Sequence, residues 1–150
     1  MKKEEQRILK SNHPHDSWWY CHNNRRANIK AHEKIILNSK DPEFCYLFAH
    51  DIDGANIKEL EKIVLGSANL YWSIYFAKNI PDANLIAHQN KILNSRNAVF
   101  CYWFARDIPS ADKQLLSEVV LTSGNFYYIK QFYNEIDFDK TKYETLMLFI

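Results

Sequence analysis

The sequence predicts an all-α fold, namely an α-α solenoid of five helical-hairpin repeats followed by a C-terminal capping helix. The segments ILKS, ILNS, VLGS, ILNS and VLTS end in serines 28 residues apart, here named the turn serines: Ser11, Ser39, Ser67, Ser95 and Ser123. An aromatic residue follows nine positions after each of them, at Tyr20, Phe48, Phe76, Phe104 and Phe132. A period of this size is the signature of a repeat protein, whose stacked units share one core.

The period divides the 150 residues into five repeats and a cap, which we expect to form a single domain. The predicted repeats are 1–28, 29–56, 57–84, 85–112 and 113–140, and the cap helix is 141–150. Within each repeat the apolar residues before the turn serine follow helical spacing, as Ile57, Leu60 and Val64 do. The first helix therefore ends at the turn serine, and a second helix follows it.

Each helix has a predicted N-cap, because Asn and Asp side chains accept hydrogen bonds from the free amides of a first helical turn. The first helices follow Asn28, Asn56, Asn84 and Asp112, and the second helices follow Asp41, Asn69, Asn97 and Asn125. The turn serines are expected to bond backbone groups between the two helices rather than to act as nucleophiles. On the second helix, the residues 6, 9, 10 and 13 positions after the turn serine share one side. This predicted core stripe contains Cys45, Phe48, Ala49 and Ile52 in the second repeat, and Cys101, Phe104, Ala105 and Ile108 in the fourth.

Composition excludes several classes of function. The net charge of +1 predicts no strong overall attraction to nucleic acid or membranes, and three glycines leave no glycine-rich phosphate loop. The first ten residues are charged and lack the apolar stretch of a signal peptide, and no apolar run reaches the ~20 residues of a membrane span. Three cysteines without paired short spacings indicate free thiols. We therefore expect a cytoplasmic protein with no cofactor.

The strings KIVLGSANLYWSIYFAKNIPDAN and KILNSRNAVFCYWFARDIPSAD carry a resemblance to known repeats. They resemble short HEAT-like α-α solenoids and, more closely, poorly characterised bacterial and phage-associated repeat proteins. The resemblance covers roughly residues 28 to 140, and residues 1 to 28 more weakly. It implies an architecture of stacked helical hairpins and assigns no catalytic residues.

The segment SNHPHDSWWYCHNN, residues 11–24, suggests a metal site because it holds three histidines and a cysteine. In register it is the first repeat, where His13 takes the N-cap position and Cys21 matches the core residue Ala49. A zinc site needs about four converging ligands, and the second ligand pair is missing. We therefore predict no metal site. His32 and His88 occupy the same position of their repeats, here called a column, as Leu60 and Leu116, and they are expected to be buried.

A candidate binding surface lies on the second helices, at positions that an ideal helix places opposite the core stripe. The residue seven positions after the turn serine forms the ring column, and the residue eleven positions after it forms the basic column. Together with two tyrosines four positions after the serine, the predicted partner-binding residues are Trp18, His22, Tyr46, His50, Tyr71, Ile74, Lys78, Tyr102, Arg106, Tyr127 and Lys130. Tyr, Trp and Arg are the usual energetic anchors of protein interfaces. The competing interpretation is that the rings pack between repeats and the cations favour the helix dipole.

Three functional classes are compatible with this surface. The first is a non-enzymatic protein-binding scaffold, for example an adaptor or a phage-type or mobile-element inhibitor that docks on a bacterial protein or ribonucleoprotein complex. The alternative is nucleic-acid binding by stacking aromatic rings and cations, and an enzyme ranks last. The apolar end, from Leu146 to Ile150, suggests a homodimer through the C-terminal helix.

Overall fold

The computed structural model describes residues 3–148, and within them every regular element is helical. The prediction of an all-α fold is confirmed. The eleven α-helices are α1 (Lys3–Ser11), α2 (Pro14–Asn23), α3 (Ile29–Ser39), α4 (Pro42–Asp51), α5 (Ile57–Gly66), α6 (Leu70–Asn79), α7 (Leu85–Asn94), α8 (Ala98–Asp107), α9 (Lys113–Leu121), α10 (Phe126–Glu135) and α11 (Glu144–Met147). A 3-10 helix, Thr141–Tyr143, precedes α11.

The helix starts follow the sequence repeat. The second helices α2, α4, α6, α8 and α10 begin 28 residues apart, and so do the first helices α3, α5, α7 and α9. The predicted N-caps are confirmed, since the side chains of Asn28, Asn56, Asn84 and Asp112 each accept from an amide in the first turn. The caps Asp41, Asn69, Asn97 and Asn125 do the same for the second helices. His13 is the exception, because its side chain makes no cap hydrogen bond.

The turn serines join the two helices of a repeat, as predicted. The Ser39 hydroxyl donates to the carbonyl of Ile36 at 2.7 Å and accepts from the amide of Asp41 at 3.2 Å. Ser95 and Ser123 make the same pair of bonds. Each hydroxyl therefore satisfies a carbonyl at the end of one helix and an amide at the start of the next.

The predicted core stripe is buried. Cys45, Phe48, Ala49 and Ile52 lie in one buried cluster with first-helix residues such as Leu60 and Val64. Their fourth-repeat equivalents, Cys101, Phe104, Ala105 and Ile108, are also buried. His32 and His88 are fully buried, as their column predicts. The phenylalanines at the same position of successive repeats, such as Phe48 and Phe104, fill the interior. Burial of such large apolar side chains supplies most of the hydrophobic stabilisation.

The helices group into two compact units, one up to Ala83 and one from Asn84 onward. The boundary lies one residue before the predicted junction of the third and fourth repeats. In the first unit, α2 packs on α3 and α4, and α4 packs on α5 and α6. In the second unit, α8 packs on α9 and α10. The single domain expected from the chain length stays a prediction.

The C-terminal segment differs from the predicted ten-residue cap helix. Residues 141–147 form a 3-10 turn and a four-residue α-helix, and residues 149–150 lie outside the described part of the chain. Tyr143 is buried against Leu121 and Ile129, whereas Leu148 is 82% exposed. A single turn of helix is too short to be stable without such packing, so Tyr143 is the anchor of this segment. No helix between residues 3 and 148 combines the length and the apolar composition of a membrane span.

Candidate partner-binding surface

The ring column is mostly buried, which corrects the predicted exposure of part of the binding surface. Tyr46, Ile74 and Tyr102 are 9%, 5% and 6% exposed, and Trp18 is half-buried. The physical reason is that neighbouring second helices pack directly on each other, α2 on α4, α4 on α6 and α8 on α10. A count around one isolated helix places the ring column opposite the core. On α2, α4 and α8 the next repeat's second helix in fact covers this side.

The rings of this column also bond to the following repeat. The indole Nε1 of Trp18 donates to Asp51 Oδ2 at 2.8 Å, and the amide of Asn79 donates to the Tyr46 hydroxyl at 3.0 Å. The Tyr102 hydroxyl donates to Glu135 Oε2 at 2.5 Å. Each of these pairs is 33 residues apart, because the partner is always the residue twelve positions after the next turn serine. Burial raises the pKa of Tyr46 and of Tyr102, so these hydroxyls remain neutral. The ring column therefore joins repeats.

The basic column is exposed as predicted, but several of its side chains lie beside acids. His50 Nδ1 lies 2.7 Å from Asp51 Oδ1, and His22 Nδ1 lies 4.0 Å from Asp51 Oδ2. Arg106 makes two bonds to Asp107, of 2.6 and 3.2 Å, and this pairing raises the pKa of the Arg106 guanidinium. Surface cations with a carboxylate this close contribute little net positive potential.

The basic and ring columns also contact each other. The His22 imidazole lies 5.8 Å from the Trp18 ring, and the His50 imidazole lies 5.6 Å from the Tyr46 ring. The Arg106 guanidinium lies 5.5 Å from the centre of the Tyr102 ring, a cation–π distance. A residue of the ring column and a residue of the basic column thus contact each other in the first, second and fourth repeats.

The remaining predicted residues are exposed. Tyr71 is 45% and Tyr127 is 65% exposed, and Lys78 and Lys130 are also at the surface. Their placement agrees with the sequence prediction. The structure therefore keeps the basic column and the two tyrosines on the surface, and removes Tyr46, Ile74 and Tyr102 from it.

Sequence reasoning missed exposed aromatic residues that lie beside the predicted ones. Trp19 is 50% and Tyr75 is 41% exposed, both eight positions after a turn serine, and Phe126 is 63% exposed. Tyr75 stacks on Tyr71 with ring centres 5.6 Å apart, and Trp72 lies 5.8 Å from Tyr75. Trp19 and Tyr75 occupy the same position of their repeats, one residue after the ring column. Adding this position to the predicted surface would have found both of them. We name Trp19, Tyr71, Trp72 and Tyr75 the aromatic patch.

The histidines and cysteines are spread over several helices, and the thiols are buried. Among residues 3–148 no three His, Cys, Asp or Glu side chains come together in a way that could hold a metal ion. Cys21, Cys45 and Cys101 are free thiols, and burial raises the pKa of each to about 12. A nucleophilic cysteine needs the opposite shift, because the thiolate is the reactive form.

Comparison with known proteins adds no relative. No protein family, no curated protein and no solved structure matches this chain.

Proposed function

We propose that this protein is a non-enzymatic α-α solenoid scaffold that binds a protein partner through its second helices. The solenoid is supported by the 28-residue recurrence of helix starts and by the packing of consecutive second helices within each unit. Such stacks present one continuous side of repeated helices to a partner. The partner would be a protein on its own or the protein part of a ribonucleoprotein, with this chain acting as an adaptor or an inhibitor.

The observation that carries the proposal is the aromatic patch. A soluble helix normally exposes Glu and Lys, so two tyrosines and a tryptophan at 41–50% exposure within the first unit need an explanation. Tyr71 stacks on Tyr75, and Tyr75 also lies against Trp72, so these three rings have little side-chain entropy left to lose on binding. Exposed, preorganised Trp and Tyr rings are the groups that dominate binding free energy in protein interfaces.

Electrostatics favours a protein over a nucleic acid on this side of the helices. A strand-tracking groove needs unpaired cations next to its stacking rings. Here Asp51 lies between His22 and His50, and Asp107 pairs Arg106. These acidic neighbours would repel phosphates at the positions where the basic column would otherwise attract them.

Affinity capture from a lysate of the source cell tests the proposal. The double variant Trp19→Ala/Tyr75→Ala removes two exposed rings, and the control Ile86→Ala/Leu115→Ala removes two exposed apolar side chains from first helices. We expect the wild type and the control to retain the same protein after nuclease treatment, and the double variant to lose it while keeping its thermal stability. Equal retention by all three forms, or capture that disappears with nuclease, would contradict the proposal.

A further inference from the structure

The first helices of the first unit carry pairs of cations that helix energetics does not explain. Cations four residues apart occur on α1, α3 and α5, and the three pairs are Lys3 with Arg7, Lys30 with Lys34, and Lys58 with Lys62. Like charges at this spacing destabilise a helix, whereas a Glu followed by a Lys stabilises it. Lys30 and Lys58 are also the second residues of their helices, where the helix dipole disfavours a positive charge. We name these six residues the lysine face.

The lysine face lies on neighbouring helices and has few compensating charges. All six side chains are exposed, and α3 packs beside both α1 and α5. Lys62 pairs with Glu59 at 2.6 Å. Lys30, Lys34 and Lys58 have no ion-pair partner within residues 3–148. The columns of Lys30 and Lys34, which also contain Lys58 and Lys62, hold Ile86 with Asn90 and Gln114 with Glu118 in the second unit, so the repeat as such does not require lysines there.

The structure shows why the acids of these helices do not neutralise this face. Glu5 Oε1 accepts from the backbone amide of Asn28 at 2.7 Å, and Glu33 Oε1 accepts from that of Asn56 at 2.5 Å. Glu5 and Glu61 are buried, while Glu4 remains exposed. The carboxylates of Glu5 and Glu33 are thus directed to the N-caps of α3 and α5, and Lys30, Lys34 and Lys58 keep their positive charge at the surface although the net charge of the chain is only +1.

We infer that the lysine face binds the phosphate backbone of a nucleic-acid duplex, independently of the protein-binding surface proposed above. Lysine is depleted in protein interfaces, which need buried aromatic or aliphatic anchors. None of the large hydrophobic side chains exposed in residues 3–148 lies on α1, α3 or α5. The absence of stacking rings on these helices disfavours single strands, whereas ammonium groups alone suffice for backbone contacts to a duplex.

Fluorescence anisotropy with a short labelled DNA duplex tests the inference, with the matching single strand and polyglutamate as competitors. Lys34→Gln/Lys58→Gln removes two charges of the lysine face, and Arg96→Gln/Lys113→Gln removes two charges from the second unit as a matched control. We expect the lysine-face variant to bind about tenfold more weakly at low salt. We also expect its slope of log affinity against log salt to be shallower by about 2, and the control to bind as the wild type does.

Three results would overturn the inference: no binding of the duplex by the wild type at low salt, equal losses in the variant and the control, or displacement by polyglutamate as effective as by duplex. Both variants leave the aromatic patch intact. If Lys34→Gln/Lys58→Gln loses duplex binding but keeps protein capture, the lysine face acts separately from the proposed protein-binding surface. Trp19→Ala/Tyr75→Ala should show the reverse, with protein capture lost and duplex binding retained.

Discussion

The indole of Trp18 donates a 2.8 Å hydrogen bond to Asp51, a residue 33 positions further along the chain. The same relationship recurs between Asn79 and Tyr46 and between Tyr102 and Glu135. Consecutive second helices are thus joined by a polar bond at the edge of a buried ring, in addition to their apolar contact. A surface that an isolated helix would expose becomes part of the junction between repeats.

The Tyr46 hydroxyl provides a test of this junction. Tyr46→Phe keeps the buried ring and removes the acceptor of the Asn79 bond. We expect the free energy of unfolding to fall by about 0.5–1.5 kcal/mol, the usual net contribution of one hydrogen bond. Urea denaturation followed by circular dichroism measures it. The control is Tyr75→Phe, because the Tyr75 ring is 41% exposed, and it should change the free energy of unfolding by less than about 0.5 kcal/mol. Equal effects of the two changes would show that the bond between Asn79 and Tyr46 does not stabilise the fold.

The Glu33 carboxylate provides a second test, because it accepts from the backbone amide of Asn56, the N-cap residue of α5. Gln89 does the same for the amide of Asp112 at 2.7 Å, so an amide oxygen can replace the carboxylate. We expect Glu33→Ala to lower the free energy of unfolding by about 1 kcal/mol and Glu33→Gln to be nearly neutral. Glu4→Ala, at an exposed site on α1, is the control. If Glu33→Gln were as damaging as Glu33→Ala, the hydrogen bond would not be the stabilising contact.

Protonation of buried histidine should make stability depend on pH. Burial, followed by the nearby charge of Lys91, lowers the pKa of His88 to about 4. Because an unfolded histidine titrates near 6.5, below that pH the unfolded chain binds a proton that the folded chain excludes. The free energy of unfolding should therefore fall as the pH drops from about 6.5 to about 4, by an amount on the order of 3 kcal/mol. Burial lowers the pKa of His32 as well, so this residue also decreases the free energy of unfolding as the pH falls.

His88→Leu copies the residues Leu60 and Leu116 of the same column and should flatten this pH dependence without lowering stability near neutral pH. Urea denaturation at neutral and at acidic pH measures both quantities. His13→Ala, at an exposed cap position, should leave the pH dependence unchanged. If His88→Leu lost as much stability at acidic pH as the wild type does, other groups would be the cause of that loss.

The exposed C-terminal leucines provide a test of self-association. Leu148 is 82% and Leu146 is 36% exposed beside the buried Tyr143, and an apolar end of this kind favours contact with a second subunit. Under the homodimer hypothesis, light scattering should show a mass that rises with concentration. Leu148→Asp should then hold the protein at the mass of one chain. A single-chain mass for the wild type at every concentration would reject the homodimer.

The sequence by itself determined the helices and their register. Caps such as Asn28 and Asp41, the turn serines and the recurring phenylalanines act through contacts within a few residues or through a regular period, and such signals are readable along the chain. The buried stripe around Phe48 followed from helical geometry alone. Even the fully buried His32 and His88 could be predicted, because their column also holds leucines.

Tertiary structure decided which sides of those helices remain free. Tyr46 and Tyr102 are covered because another second helix packs on them, whereas Trp19 and Tyr75, one position later in their repeats than the ring column, remain exposed. The bonds from Trp18 to Asp51 and from the Asn56 amide to Glu33 join residues 33 and 23 positions apart. Neither residue of such a pair signals its partner in the sequence, since the contact exists only after the repeats have packed. The same packing directs the carboxylates of Glu5 and Glu33 to the N-cap amides of α3 and α5.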